Sequence, residues 1–188
     1  MSTLRLTAPF EKAELEKLLA GDRVLVSGVI YTARDAAHGR LCAALDRGEA
    51  LPVDLRGQTI FYAGPTPTPP GRPCGAIGPT TSVRMDAYTP QLLRYGVNAM
   101  IGKGGRGEAV KRAIRETGAV YFAAIGGCAA YMAACIQKLD VVAYDDLGTE
   151  SVKRLEVRDL PLTVAVDSRG MDAYEQGMRA YREACGQA

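Results

Sequence analysis

The chain has 188 residues, within the range of one domain and long enough to bury a real core. With 47% apolar and 23% charged residues it reads as an ordinary soluble globular protein. Its net charge of +2 is too small to argue for a nucleic acid or a membrane surface as partner.

Residues 11–20 pattern as a short amphipathic helix through Leu15, Leu18 and Leu19, stopped by Gly21. Val24 to Thr32 is β-branched and apolar, hence a strand, and Asp35 to Arg47 is helical, with Ala37, Leu41 and Leu45 on its apolar side. Thr59 to Ala63 reads as a second buried strand. Gly64 to Gly78 is too rich in Pro and Gly for a regular element, and a loop this long inside a compact domain is usually functional or disordered. A helix over 85–95 leads to strand 99–101, a Gly-rich loop at 102–107 and helix 108–117. Strand 119–124, Gly126-Gly127 and helix 128–137 follow. Strand 141–143, a short helix near 149–153 and strands at 155–157 and 162–166 complete the pattern. Alternating strands and helices predict an α/β fold with a largely parallel central sheet; short strands early and late suggest a second β layer. No repeat, linker or low-complexity tail interrupts it, so residues 1–188 are expected to form one domain.

The uncharged stretch from Ala119 to Ile136 is long enough to be weighed as a membrane span. Its Ala, Gly, Tyr and Cys content and the central glycine pair favour a buried strand followed by a small-residue helix. Residues 1–17 mix charges with no apolar run, so no secretory signal is expected. The five cysteines (Cys42, Cys74, Cys128, Cys135, Cys185) are odd in number and lack C-x-x-C spacing. This argues against a disulfide framework and against a self-contained zinc or iron–sulfur site, and fits reduced thiols in the cytoplasm. No metal ligands are expected in this chain.

In open α/β sheets ligands bind where strands give way to helices, and four such junctions are chemically marked. They are Ala33 to His38, Gly78 to Asp86, Gly102 to Gly107 and Ile125 to Cys128. In the second, Thr80, Thr81 and Ser82 precede Arg84, so a hydroxyl can cap the following helix, and the same hydroxyls, free amides and guanidinium also suit a carboxylate or phosphate. Both readings stand on this segment alone. Arg34, Arg84 and Lys103 place a cation at three of the four junctions, enough to hold a small dianion. Gly102, Gly104 and Gly107 spell G-x-G-x-x-G, but the acidic residue expected about twenty positions on is absent, which weakens a dinucleotide site. His38, the single histidine, lies one turn beyond Arg34, placed to brace the helix or that arginine. No Ser–His or Cys–His pair is evident, and a threonine hydroxyl is a poor base alone. If Thr80 is catalytic, a group outside this chain completes the site.

Taken together, Gly28-Val-Ile-Tyr-Thr-Ala-Arg-Asp-Ala-Ala-His38, Gly75-Ala-Ile-Gly-Pro-Thr-Thr-Ser82, Arg84-Met-Asp86, Ile101-Gly-Lys-Gly-Gly105, Ala124-Ile-Gly-Gly-Cys128 and Val142-Ala-Tyr-Asp-Asp-Leu-Gly148 resemble the β region of the class I, iron–sulfur-dependent fumarate hydratase and L-tartrate dehydratase family. The likeness runs over nearly the whole chain. It implies a swivelling β/β/α three-layer domain and a hydro-lyase β subunit that is silent without its α subunit. That α subunit would hold a [4Fe–4S] cluster as Lewis acid, and the enzyme would be a dimer of α–β pairs. It implies Thr80 as the proton-transferring base, Arg34, Arg84 and Lys103 as binders of substrate carboxylates, and Asp35, His38, Thr81 and Gly104 in support. An α-subunit aspartate would orient the threonine hydroxyl. Val83 stands where many fumarases have glycine, which leaves fumarate and tartrate both open as substrates. A non-catalytic dicarboxylate- or nucleotide-binding domain is the alternative of another class.

Overall fold

Three short strands, buried on both faces, form the centre of the sheet: β3 (Thr59–Phe61), β4 (Ala99–Gly102) and β5 (Val120–Ala123). The computed structural model describes residues 3–186. Before these strands come β1 (Leu4–Ala8), α1 (Lys12–Leu15), β2 (Arg23–Thr32) and α2 (Asp35–Asp46), and between them α3 (Thr89–Tyr95) and α4 (Glu108–Thr117). After them come α5 (Ala129–Ala134), β6 (Ile136–Ala143), β7 (Val152–Val166) and α6 (Ala173–Ala184). The fold is mixed α/β with a mostly parallel sheet in the order β1-β2-β3-β4-β5-β7-β6.

Parallel pairs β2–β3, β3–β4 and β4–β5 point the carboxyl ends of four strands toward one edge. Long β7 runs antiparallel to β5, to β6 and along most of β2, so the pairings close on themselves. Residues of the central strands alternate between two cores. Phe61, Ile101 and Phe122 join Leu15, Ile30, Leu155 and Leu160. Ile60, Met100 and Tyr121 join Leu41 of α2, Leu92 of α3 and Ile114 of α4. Strands buried on both faces read as continuous apolar runs, which is why these three were legible without alternation. In β2 the register shifts at Gly28, whose φ of +104° suits glycine alone; an added Cβ would stand 2.1 Å from the Ala8 carbonyl oxygen.

The structure corrects several expectations. The helix of 11–20 shrinks to Lys12–Leu15, and 85–95 is divided. A 3₁₀ turn spans Ser82–Met85, and α3 starts only at Thr89, with Pro90 in its first turn. The helix of 128–137 ends at Ala134 because Ile136 already pairs with Val157. The two late strands are one, β7, kinked where Asp159 adopts φ +50°, and the helix near 149–153 is a 3₁₀ turn at Asp145–Glu150. Strand β1 and helix α6 were not anticipated. The uncharged 119–136 stretch is β5 plus α5, and among the described residues no helix is long and apolar enough to cross a membrane.

Candidate active site

Beyond their last shared pairs, β3 and β4 part, and the extended segment 79–81 fills the gap. Pro79 bridges Ala63 antiparallel and Thr81 bridges Lys103 in parallel. Thr80 N–H donates to the Tyr62 carbonyl at 2.7 Å, and Lys103 N–H donates to the Thr80 carbonyl at 3.3 Å. Thr80 is therefore held by backbone on both sides, not as a helix cap. No side chain caps the short 3₁₀ turn that follows, and Thr81, at its entry, is exposed. The Thr80 hydroxyl has no hydrogen-bond partner among the described residues and stands half-buried at the carboxyl edge of the sheet.

Arg34 and Arg84, on neighbouring segments, are each paired with one carboxylate. Arg84, on the 3₁₀ turn, gives Nε to Asp35 Oδ1 at 2.9 Å and Nη2 to Oδ2 at 2.5 Å. This uses one edge of the guanidinium and leaves the Nη1–Nη2 fork for an anion. Arg34, at the entry of α2, has its Nε 3.2 Å from Glu150 Oε1, an ion pair whose angle forms no hydrogen bond. Glu150 Oε2 accepts from Ala36 N–H at 2.8 Å, capping α2 from across the sequence. The turn carrying Glu150 is itself secured by Lys153, whose buried ammonium donates to the Gly148 and Thr149 carbonyls at 2.8 and 3.1 Å and to Ser151 Oγ at 2.6 Å. Burial lowers the Lys153 pKa. Gly64 leaves room for Arg34: a Cβ there would lie 3.2 Å from the guanidinium carbon and 2.6 Å from Thr149.

Lys103 follows β4 directly and has no carboxylate partner among the described residues. Its stem passes Gly126, where a Cβ would be 3.4 Å from Cδ and 3.6 Å from Nζ, and it lines a cavity of about 480 Å³ with Ile125, Thr163 and Tyr174. A hollow of about 420 Å³ between the Pro-rich loop and α5, lined by Pro69, Arg72 and Cys74, holds none of these groups.

His38 is fully buried, and burial pulls its pKa from 6.5 down to about 4, so the ring is neutral near pH 7. Its Nδ1–H donates to the Arg34 carbonyl at 3.1 Å, while Nε2 has no partner among the described residues. It braces the backbone of Arg34. Gly104 has φ +80° and accepts at its carbonyl from the Tyr121 hydroxyl at 2.8 Å. The G-x-G-x-x-G does join a strand to a helix, yet the Gly107 amide at the start of α4 is already taken by Asp86 Oδ2 at 2.7 Å. An intramolecular carboxylate occupies the place a phosphate would need.

Reasoning from the sequence alone missed Glu150, Asp86, Tyr121 and Arg106. The last of these has a side chain with no exposure at all.

The cysteines do not converge. Cys42 is buried with its thiol pushed up to about 11 by burial, and burial likewise raises Cys74 and Cys135, so these sulfurs stay protonated. Among the described residues no three His, Cys, Asp or Glu side chains stand together as a metal site.

Thr80 at the strand ends of the α/β sheet, with Arg34, Arg84 and Lys103 on adjoining segments, is a candidate site for a small anionic ligand. Residues 1–177 match the family model "Fumarase C-terminus", and the chain belongs to that family. It is 39% identical over 165 residues to the aerobic class I fumarate hydratase of Salmonella typhimurium, covering 87% of this chain and 28% of that protein. Identity to fumarate hydratase 2 of Leishmania major is 37% over 175 residues, with coverage of 91% and 31%. A protein of Methanocaldococcus jannaschii named "Putative L(+)-tartrate dehydratase subunit beta" is 40% identical over 171 residues, 88% of each chain. The chain thus spans under a third of the length of these fumarate hydratases and most of the length of the subunit.

Proposed function

We propose that this chain is the β subunit of a hydro-lyase that reversibly hydrates fumarate to L-malate. The observation that carries it is the Thr80 hydroxyl, without a partner among the described residues and held by backbone between Tyr62 and Lys103. The Nη forks of Arg34 and Arg84 and the Lys103 ammonium bind the two carboxylates and fix the double bond over Thr80. In hydration, Thr80 would give its proton to one alkene carbon, a water would add as hydroxide to the other, and that water's remaining proton would return to Thr80, so that one water is consumed; dehydration runs the same transfers in reverse. Asp35 and His38 orient Arg84 and Arg34, and Thr81 and Gly104 shape the neighbouring backbone. The partner α subunit completes the site with an aspartate that activates the hydroxyl and with a [4Fe–4S] cluster that supplies Lewis acidity. The chain alone is inactive, the working enzyme is a cytoplasmic dimer of α–β pairs, and residues 1–188 form a single swivelling β/β/α domain.

The near-complete match in both directions to the protein named as a tartrate dehydratase β subunit favours a second reading, dehydration of L(+)-tartrate to oxaloacetate. Anaerobic assay of the co-expressed α–β pair against fumarate, L-malate and both tartrate enantiomers decides between them. Turnover of fumarate supports the first reading and selective turnover of L(+)-tartrate the second. Dicarboxylate binding without turnover would make the chain a binding domain.

A further inference from the structure

We propose that a buried cluster centred on Arg106 and Tyr121 is a positioning device that sets the distance between Thr80, Arg84 and Lys103; this rests on the site assignment above. Arg106 sits in a Gly-rich loop, where a guanidinium would normally be solvated, yet its side chain has 0% exposure. Nε donates to Asp86 Oδ1 at 2.8 Å, Nη2 to Thr89 Oγ1 at 2.8 Å and Nη1 to the Tyr62 hydroxyl at 3.3 Å. Its guanidinium carbon lies 5.3 Å from the ring centre of Tyr62 and 5.0 Å from that of Tyr121. A buried charge with this many partners holds its neighbours to one geometry, since each lost partner would leave a polar atom unpaired.

The groups it holds belong to the segments that carry the site. Asp86 lies two residues beyond Arg84, and its second oxygen accepts from the Gly107 amide, tying the 3₁₀ turn to the far end of the Lys103 loop. Tyr62 has its hydroxyl on Arg106 and its carbonyl on the Thr80 amide. Tyr121 donates to the Gly104 carbonyl, one residue past Lys103, at 2.8 Å. Because its one proton is used there, Ser82 Oγ donates to it at 2.9 Å. Burial raises the Tyr121 pKa, which keeps that proton in place. Thr80, Arg84 and Lys103 thus hang from one cluster through Tyr62, Asp86, Ser82 and Gly104.

The test uses the α–β complex. Tyr121→Phe deletes only the hydroxyl, Arg106→Lys keeps the charge but not the planar fork, and Val164→Ala, in the other core, serves as a control for general destabilisation. Misplacing reacting groups by an ångström can cost about a hundredfold in rate. Tyr121→Phe is therefore expected to lower kcat/KM at least about tenfold, chiefly in kcat, with Val164→Ala staying within about twofold. Hydrogen exchange at the Ser82, Lys103 and Gly107 amides should rise in Tyr121→Phe while β2–β7 amides stay protected. If wild type turns over its substrate and both cluster variants match its kinetics, or lose activity only in step with folded fraction, the inference is overturned. If wild type turns over no dicarboxylate, the functional reading fails, and exchange alone decides the cluster: faster at the three amides supports it, unchanged refutes it.

Discussion

The buried histidine makes stability a sensor of pH in a calculable direction. His38 is the single histidine of the chain, 0% exposed, with its ring edge-on to Tyr62 at 5.2 Å and near Tyr88 at 6.1 Å. Arg106 and Asp35 are the charges that bear on it. Its folded pKa of about 4 lies below the unfolded value of 6.5, so the unfolded state takes up the proton first. The stabilisation is complete above pH 6.5 and is lost as pH falls toward 4. Linkage over this interval gives a loss of about 2 kcal/mol by pH 5 and about 3 kcal/mol by pH 4. His38→Asn isolates the effect, because an asparagine Nδ2–H can donate to the Arg34 carbonyl as Nδ1–H does but does not titrate. Urea unfolding of both proteins at pH 7, 6, 5 and 4 should give curves that converge by those amounts, the variant being less stable at pH 7 and less sensitive to acid. NMR titration of the lone imidazole gives a direct check, with little change expected above pH 5. Parallel stability curves, or an imidazole that titrates near 6.5 in the folded chain, would falsify the argument.

Thr80→Ala should leave the fold intact, because the hydroxyl caps nothing, while turnover of the complex falls by about 10²–10⁴. Exposed Thr81→Ala is the control, and loss of turnover in Thr81→Ala with Thr80→Ala unaffected would move the chemistry to the other hydroxyl. Arg84→Lys should weaken substrate capture, read as KM or dissociation constant, by roughly tenfold to a hundredfold, since a charged hydrogen bond contributes about 1.5–3 kcal/mol. Its stability in urea should hardly change, the Arg84–Asp35 pair being exposed. Wild-type affinity would remove Arg84 from the binding set. Gly102→Ala places a Cβ 1.9 Å from Ser82 Oγ and 3.0 Å from Tyr62, a clash expected to cost about 1–3 kcal/mol or more in chemical denaturation; a neutral result would mean the 80–82 segment can move aside.

What could be read from residues alone followed their packing. Strands β3 to β5 and helices α2 and α4 announce themselves because Gly bounds them and their apolar residues enter a core. Strand β1 turns only Leu6 and Ala8 inward before Pro9, too short a signal. Helix α6 has no buried residue, so its apolar positions Tyr174, Met178 and Tyr181 matched no core-facing pattern. The gap between the expected strands at 155–157 and 162–166 is a kink within β7, where Asp159 takes a positive φ. That Arg34 and Lys103 follow strands, and Arg84 a segment bridged just beyond both β3 and β4, was legible because strand ends of a parallel sheet share an edge. Their supports were not. Glu150 and Asp86 reach the site from other elements, and Arg106 looks in sequence like any loop charge, since nothing local tells a solvated guanidinium from one stacked between two tyrosines.

The charge arrangement explains why such a site would be divided between two chains. Arg34 pairs with Glu150 and Arg84 with Asp35, so under the proposed function three cations set against two carboxylates would leave one net positive charge for a dianion. The carboxylates are not waste: each fixes a long, flexible guanidinium by one edge, so its other edge is ordered before substrate arrives. Pre-orientation of this kind spends charge to gain geometry, and it leaves the dianion under-neutralised while the site stands open to water, where exposed ion pairs are weak. Under the proposed function, covering the strand ends with a partner would remove that water, strengthen the same three cations, and bring a base to a hydroxyl that has no partner among the described residues.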